Sequence, residues 1–158
     1  MTKETKINVT IDGKNHELTG IKFNIGVDDF EYPITVVNMT PHQLNIITDE
    51  ILVDSWVRPS GPDEIIKSQN VIIPPSGIVT RLLEKETNSK RWLGQAISLR
   101  HIGFTCIDGL PEKHVNVIYV VSRIVAQHLG DRNDIFCPGD LIRDGQGNII
   151  GCKGLAHF

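Results

Sequence analysis

The chain has 158 residues and a net charge of −3, from 16 basic and 19 acidic side chains. The length fits one domain with its own core, and the acidic balance argues against a non-specific nucleic-acid binder, which needs a basic face. The three cysteines lack zinc-type spacing, no apolar run nears the ~20 residues of a membrane span, and a polar N-terminus with free thiols points to a reducing cytoplasm.

The pattern predicts strands in quick succession. Ile7 to Ile11 alternates apolar and polar residues, and Asp12-Gly13 then turns the chain back through His16-Glu17-Leu18 as a hairpin. Ile21 to Ile25 alternates again. Ile34 to Val37 and Leu44 to Ile47 flank a break at Thr40-Pro41. Residues 54–69 read as a loop or insertion. Val71 to Ile73 is a short strand stopped by Pro74-Pro75, and Ile78 to Leu83 follows the Ser76-Gly77 turn. Asn88 to Trp92 is polar and basic and reads as a loop; Ala96 to Ile107 is strand-like.

Beyond Pro111 the pattern sharpens. Val115 to Val121 is an almost continuous β-branched run, which suits a strand buried on both faces. Ser122 suits the N-cap of a short helix that includes Ile124, Val125, Gln127 and His128 and ends near Gly130. Cys137-Pro138-Gly139 reads as a turn. Asp140 to Asp144 and Ile149 to Cys152 make a second hairpin around residues 145–148. The expected class is α+β: mainly antiparallel β with one or two short helices. All 158 residues form one domain, a strand-rich N-terminal extension over 1–35 and a core over 36–158.

The candidate site residues are mostly arginines. Arg143 and Asp144 are neighbours on a predicted strand and therefore face opposite sides. They are either a solvated charge pair or, for Arg143, a fork for phosphate or carboxylate. Arg123 sits in the first helical turn, either exposed beside a simple cap or next to a bound anion. Arg132 either pairs with Asp131 or Asp134 in its loop or reaches a ligand. The six histidines show no metal-ligand spacing, and His42 suits a turn. No GxSxG, P-loop or dinucleotide motif is present. Cys137 carries no sign of an activated thiol, and Asp140 and Asp144 are too far apart on a strand for a coupled dyad. No enzyme is expected, and no cofactor.

Several strings occur in a telling order: Val37-Asn38-Met39-Thr40-Pro41-His42, then Pro75 to Arg81, Gly109-Leu110-Pro111-Glu112, Tyr119-Val120-Val121-Ser122, Arg132-Asn133-Asp134, and Pro138-Gly139-Asp140-Leu141-Ile142-Arg143-Asp144, with Gly147-Asn148 and Ile150-Gly151-Cys152. Over about residues 36–155 this set resembles small phage proteins of the first Thoeris anti-defence family. That resemblance implies a sponge: a protein of the infected bacterial cytoplasm that sequesters a cyclic ADP-ribose signal, or in some members a cyclic oligonucleotide, without cleaving it. It implies Arg143, Arg123 and Arg132 on phosphates, Phe104 or Tyr119 stacked on adenine, and Asn38, Asp134 or Asp144 on ribose hydroxyls. It further implies a homo-oligomer, and the lack of a membrane-length apolar run argues against a membrane partner. Two other readings stay open, a phage structural or assembly protein without a small ligand and an enzyme that degrades such a nucleotide.

Overall fold

The computed structural model describes residues 3–27, 30–47 and 71–158. Ten strands dominate it: β1 (Lys3–Ile11), β2 (Lys14–Val27), β3 (Phe30–Asn38), β4 (Leu44–Ile46), β5 (Val71–Ile73), β6 (Arg81–Leu93), β7 (Ile97–Asp108), β8 (Val117–Val120), β9 (Ile135–Arg143) and β10 (Ile149–Ala156). One helix, α1 (Arg123–Gln127), lies between β8 and β9. Eight strands form a curled mixed sheet in the order β1-β2-β3-β8-β9-β10-β4-β5, and among the described residues β6 pairs only with β7.

This is a nearly all-β protein, and the α+β expectation is corrected. The helical signal after Ser122 was real but short. α1 has five residues and buries only Val125 and Ala126. A single turn of that length contributes no helical layer. Ser122 does occupy the N-cap, but its hydroxyl makes no capping bond. The sheet is also less antiparallel than expected, since β3–β8, β8–β9 and β10–β4 are parallel pairs.

The first hairpin is as the sequence predicts. Asp12 and Gly13 have φ of 51° and 76°, the pair of positive values that matches the twist of a two-residue turn. β2 then runs on through Gly20 as one strand rather than two. A Cβ at Gly20 would lie 2.8 Å from Thr35 Cγ2 and 3.0 Å from the Val36 carbonyl oxygen. Glycine there marks close packing against β3, not a break.

β8 occupies the middle of the sheet, and both of its faces are covered. Val117 and Tyr119 join the larger core cluster with Val9, Leu18, Val37, Met39 and Ile135. Val120 joins a second cluster with Ile21, Val36, Leu44 and Ile73. The strand begins later than the apolar run suggests, because Val115 is 81% exposed ahead of it.

Three further expectations need correcting. The predicted loop at Asn88 to Trp92 belongs to β6. Both Trp92 and Leu93 are exposed there, so no buried face imposes the alternation that reveals a strand. Cys137 to Gly139 is not a turn but part of β9, paired with Gly154 to Ala156 of β10. Asp144 lies just beyond the end of β9, at the start of the turn. The predicted loop over 54–69 lies outside the described residues.

Candidate functional site

β3 and β8 are parallel neighbours, and Asn38 pairs with Val120 at their carboxyl ends. Two loops leave the sheet side by side at this point. Open sheets gather ligands beyond the carboxyl ends of parallel strands, and a cleft lies here. Its volume is about 750 Å³, and its walls come from Thr40 to Leu44, from Ser122 and Arg123, and from Pro138, Asp140 and Leu141 of β9. A smaller groove of about 370 Å³ shares Thr40, Pro41 and Ser122 with it and continues over Arg81, Leu82 and Ile124.

Asn38 shapes the first wall. Its side chain is fully buried. Its Nδ2 donates to the carbonyl oxygens of His42 (2.7 Å) and Ile73 (3.2 Å). Its Oδ1 accepts from the Thr40 backbone N–H (2.9 Å) and hydroxyl (2.6 Å). One amide thus fixes the Thr40–His42 turn and ties it to β5. These bonds saturate Asn38, which leaves it no part in holding a ribose.

The second wall carries the cation. Arg123 sets its guanidinium 5.3 Å from the centre of the Phe158 ring, a cation–π distance. It makes no hydrogen bond to any of the described residues. The third wall carries the anion. Asp140 has φ of 44°, a left-handed conformation that is costly outside glycine and collects at functional sites. Cys137, beneath this wall, is fully buried. Burial pushes its thiol pKa up, although the Arg123 charge acts to lower it, and a raised thiol pKa favours the neutral form.

The structure does not bring the eight predicted residues together. Arg123 alone lines the cleft. Arg132 donates to Asp134 from Nε (2.8 Å) and Nη2 (2.7 Å), and the same Nη2 reaches the Pro111 carbonyl oxygen (3.0 Å). Tyr119 is fully buried, and its hydroxyl donates to the Glu112 carbonyl oxygen (3.1 Å). Burial and the neighbouring Asp134 charge push its pKa up to about 12. Together these three residues clasp the 110–114 segment to the 132–135 turn, on the inside of the protein.

Arg143 and Asp144 serve their own hairpin. The Arg143 guanidinium donates to the Gly147 carbonyl oxygen at 2.8 Å. Asp144 Oδ1 accepts the N–H groups of Gln146 and Asn148, both at 2.9 Å. The Asn148 N–H, followed by that of Gln146, holds the Asp144 carboxyl below its ordinary pKa. Phe104 pairs with Glu84 in the β6–β7 ribbon, and its side chain lies outside the described residues.

His42 lies in the turn that its neighbours suggest, and both it and Asp140 line the cleft. A signal was present in the sequence: the strings Val37–His42, Tyr119–Ser122 and Pro138–Asp144 each carry one wall of this cleft. Among the described residues no three His, Cys, Asp or Glu side chains are grouped to share a metal ion, and no helix is long and apolar enough to cross a membrane. Comparison with protein-family models, curated proteins and solved structures finds no match.

Proposed function

We propose that this chain binds a small phosphorylated ligand, a nucleotide of the cyclic ADP-ribose kind, in the cleft at Arg123, and holds it without cleaving it. One observation carries the reading. Of the three arginines expected to meet phosphate, Arg132 spends its donors on Asp134 and Pro111 and Arg143 lies exposed on its own hairpin, bonded to Gly147 and away from the cleft, whereas Arg123 lines the cleft with no hydrogen-bond partner among the described residues. A guanidinium whose face rests on Phe158 keeps its N–H edge for an anion.

The rest of the cleft suits such a ligand. Pro41, Leu44, Pro138 and Leu141 are apolar and accommodate a base or sugar face, while Asp140 and His42 supply polar contacts for hydroxyl groups. The volume is in the range of small-molecule sites. The resemblance to the phage anti-defence sponges narrows the ligand class, and the convergence of three of its strings on one cleft supports that narrowing.

Titration calorimetry of the full chain against cyclic ADP-ribose isomers and linear ADP-ribose tests the proposal. Tight binding of a cyclic isomer is expected, with the ligand recovered intact by chromatography after denaturation. Absence of binding to every member of the panel overturns it. Recovery of an altered ligand replaces it with an enzyme.

A further inference from the structure

Among the described residues the walls of the cleft hold no Phe, Tyr or Trp, and Tyr119 is sealed in the core. Apart from the His42 ring, the flat group that lines the cleft is the guanidinium of Arg123. It stands 5.3 Å from the centre of the Phe158 ring, which is 44% exposed. That ring is held from behind. His157 Nδ1 donates to the Ile135 carbonyl oxygen at 2.9 Å, and the His157 ring lies 5.5 Å from that of Phe136. Ile135 and Phe136 pair with Tyr119 and Val120 of β8. The support under Arg123 is therefore tied to the middle of the sheet.

A guanidinium has an edge of N–H donors and two flat faces that water solvates weakly. Phe158 takes one face. The edge has no hydrogen-bond partner among the described residues, so the edge and the second face are both left to a ligand. Nucleobases stack on guanidinium planes as they do on aromatic rings, and the cation draws the π-face of the ring towards it. An exposed arginine loses rotamer freedom when a ligand orders its side chain. Contact with a ring that is itself anchored removes part of that cost before the ligand arrives.

We propose that Arg123, backed by Phe158, is the platform on which the base of the ligand stacks, with phosphate on the edge of the same guanidinium. Ring, guanidinium and base then lie in one stack. The inference rests on the nucleotide reading above and narrows it: the planar base is a recognised part of the ligand, and a sugar phosphate without a base is a poor substitute. Phe158 does not touch the ligand in this arrangement. It is a positioning residue that acts through Arg123. The apolar groups at Pro41, Leu44 and Leu141 receive the sugar side.

Proton NMR of the full chain with labelled arginine tests the stack, beside calorimetry. The Arg123→Lys spectrum identifies the Cδ methylene signal of Arg123, a group that takes no part in hydrogen bonds. A cyclic ADP-ribose isomer is expected to move that signal upfield through the ring current of its base. Ribose 5-phosphate is expected to bind at least about tenfold more weakly, the scale of one cation–π contact. Phe158→Leu is expected to keep the circular dichroism of the wild type, to shift the Arg123 signal of the free protein, and to weaken the cyclic nucleotide by about tenfold; Phe158→Tyr is expected to restore both. A bound cyclic nucleotide that leaves the Arg123 methylene in place, or moves the His42 ring signals instead, overturns the stack and leaves the phosphate contact standing. Ribose 5-phosphate bound as tightly as the nucleotide overturns it too, and wild-type affinity in folded Phe158→Leu removes Phe158 from it. Absence of calorimetric binding by every isomer overturns the functional reading, and the stack with it.

Discussion

Arg132 and Asp134 form a two-pronged ion pair across a single intervening residue, with contacts of 2.8 and 2.7 Å and side chains only 18% and 11% exposed. The pair is therefore shielded, and Arg132 is fixed further by its bond to the Pro111 carbonyl oxygen. Removing one member leaves the other charge without compensation in a largely shielded setting. Arg132→Ala is expected to destabilise the fold by roughly 2 to 3 kcal/mol, below the range for fully buried pairs because a little solvent reaches this one. Urea unfolding measures it. Nucleotide affinity of the folded variant is expected to stay at the wild-type level, since Arg132 does not line the cleft.

The same pair sets an acid limit. Burial acts to raise the Asp134 carboxyl, but the bonds and charge of Arg132 outweigh it, and the net pKa lies below the ordinary 3.8. A carboxyl depressed in the folded state stabilises it fully above its unfolded pKa, and that stability fades as pH falls through the folded value. Stability is expected to hold down to about pH 5 and to decline below about pH 4. Asp134→Asn is expected to be less stable at neutral pH and to show a flatter acid limb. A thermal unfolding series across that window checks both features, and an unchanged acid limb contradicts the assignment.

Much of the strand order was legible because burial writes alternation into sequence. Ile7 to Ile11 and the Asp12-Gly13 turn were readable for that reason, and so was β8, whose two covered faces demand a continuous β-branched run. The distal part of β6 was not legible, since Trp92 and Leu93 face solvent and no inner face filters the residue types. The α+β reading failed on length: a serine at the N-cap and an amphipathic start say nothing about stopping after Gln127. The position of Arg123 beside the cleft was readable from its place after the buried strand. Asn38, Tyr119 and Asp134 complete internal networks, which the sequence does not reveal because a polar residue in such a network has the same letter as one that meets a ligand. Only the hydrogen-bond partners distinguish the two.

The 144–148 turn offers a test of the demoted pair. Asp144 accepts two backbone N–H groups, which preorganises the hairpin. Arg143 lies in the open and adds a single bond to the Gly147 carbonyl oxygen. Arg143→Ala is expected to change ligand affinity by less than about 0.5 kcal/mol, the scale of a surface substitution away from a site. Asp144→Ala is expected to speed amide hydrogen exchange at Gln146 and Asn148 while leaving affinity intact. A large loss of affinity in Arg143→Ala would return the site to the hairpin.

Arg123 is the residue on which the proposed binding turns. A charge-assisted hydrogen bond to phosphate contributes roughly 1.5 to 3 kcal/mol, so Arg123→Ala is expected to weaken a phosphorylated ligand by about ten- to a hundredfold. Arg123→Lys keeps the charge but loses the fork and the flat contact with Phe158, and is expected to recover only part of that affinity. The loss is expected to be greater at low salt than at high salt, because the lost term is electrostatic. Calorimetry of the three proteins at two salt concentrations checks this, and equal affinities would remove Arg123 from the site.

Asn38 links fold and cleft, and Asn38→Asp isolates its role. The substitution keeps Oδ1 as acceptor for Thr40 and replaces the Nδ2 donor with a second oxygen. The His42 and Ile73 carbonyl oxygens, at 2.7 and 3.2 Å, then face a carboxyl group in a fully buried position. Both acceptors lose the Asn38 donor, and although the Thr40 hydroxyl still reaches the His42 carbonyl oxygen (3.0 Å), a buried group left unsatisfied costs roughly 1 to 3 kcal/mol. A neutral carboxyl can donate to one of them, so the variant is expected to be destabilised by several kcal/mol at neutral pH and to recover in part on acidification, opposite in sign to the Asp134 effect. Affinity is expected to fall together with stability, because the Thr40–His42 turn that Asn38 holds is one wall of the cleft. Parallel thermal unfolding and calorimetry over pH check the pairing; a variant of wild-type stability that still lost affinity would instead place Asn38 in contact with the ligand.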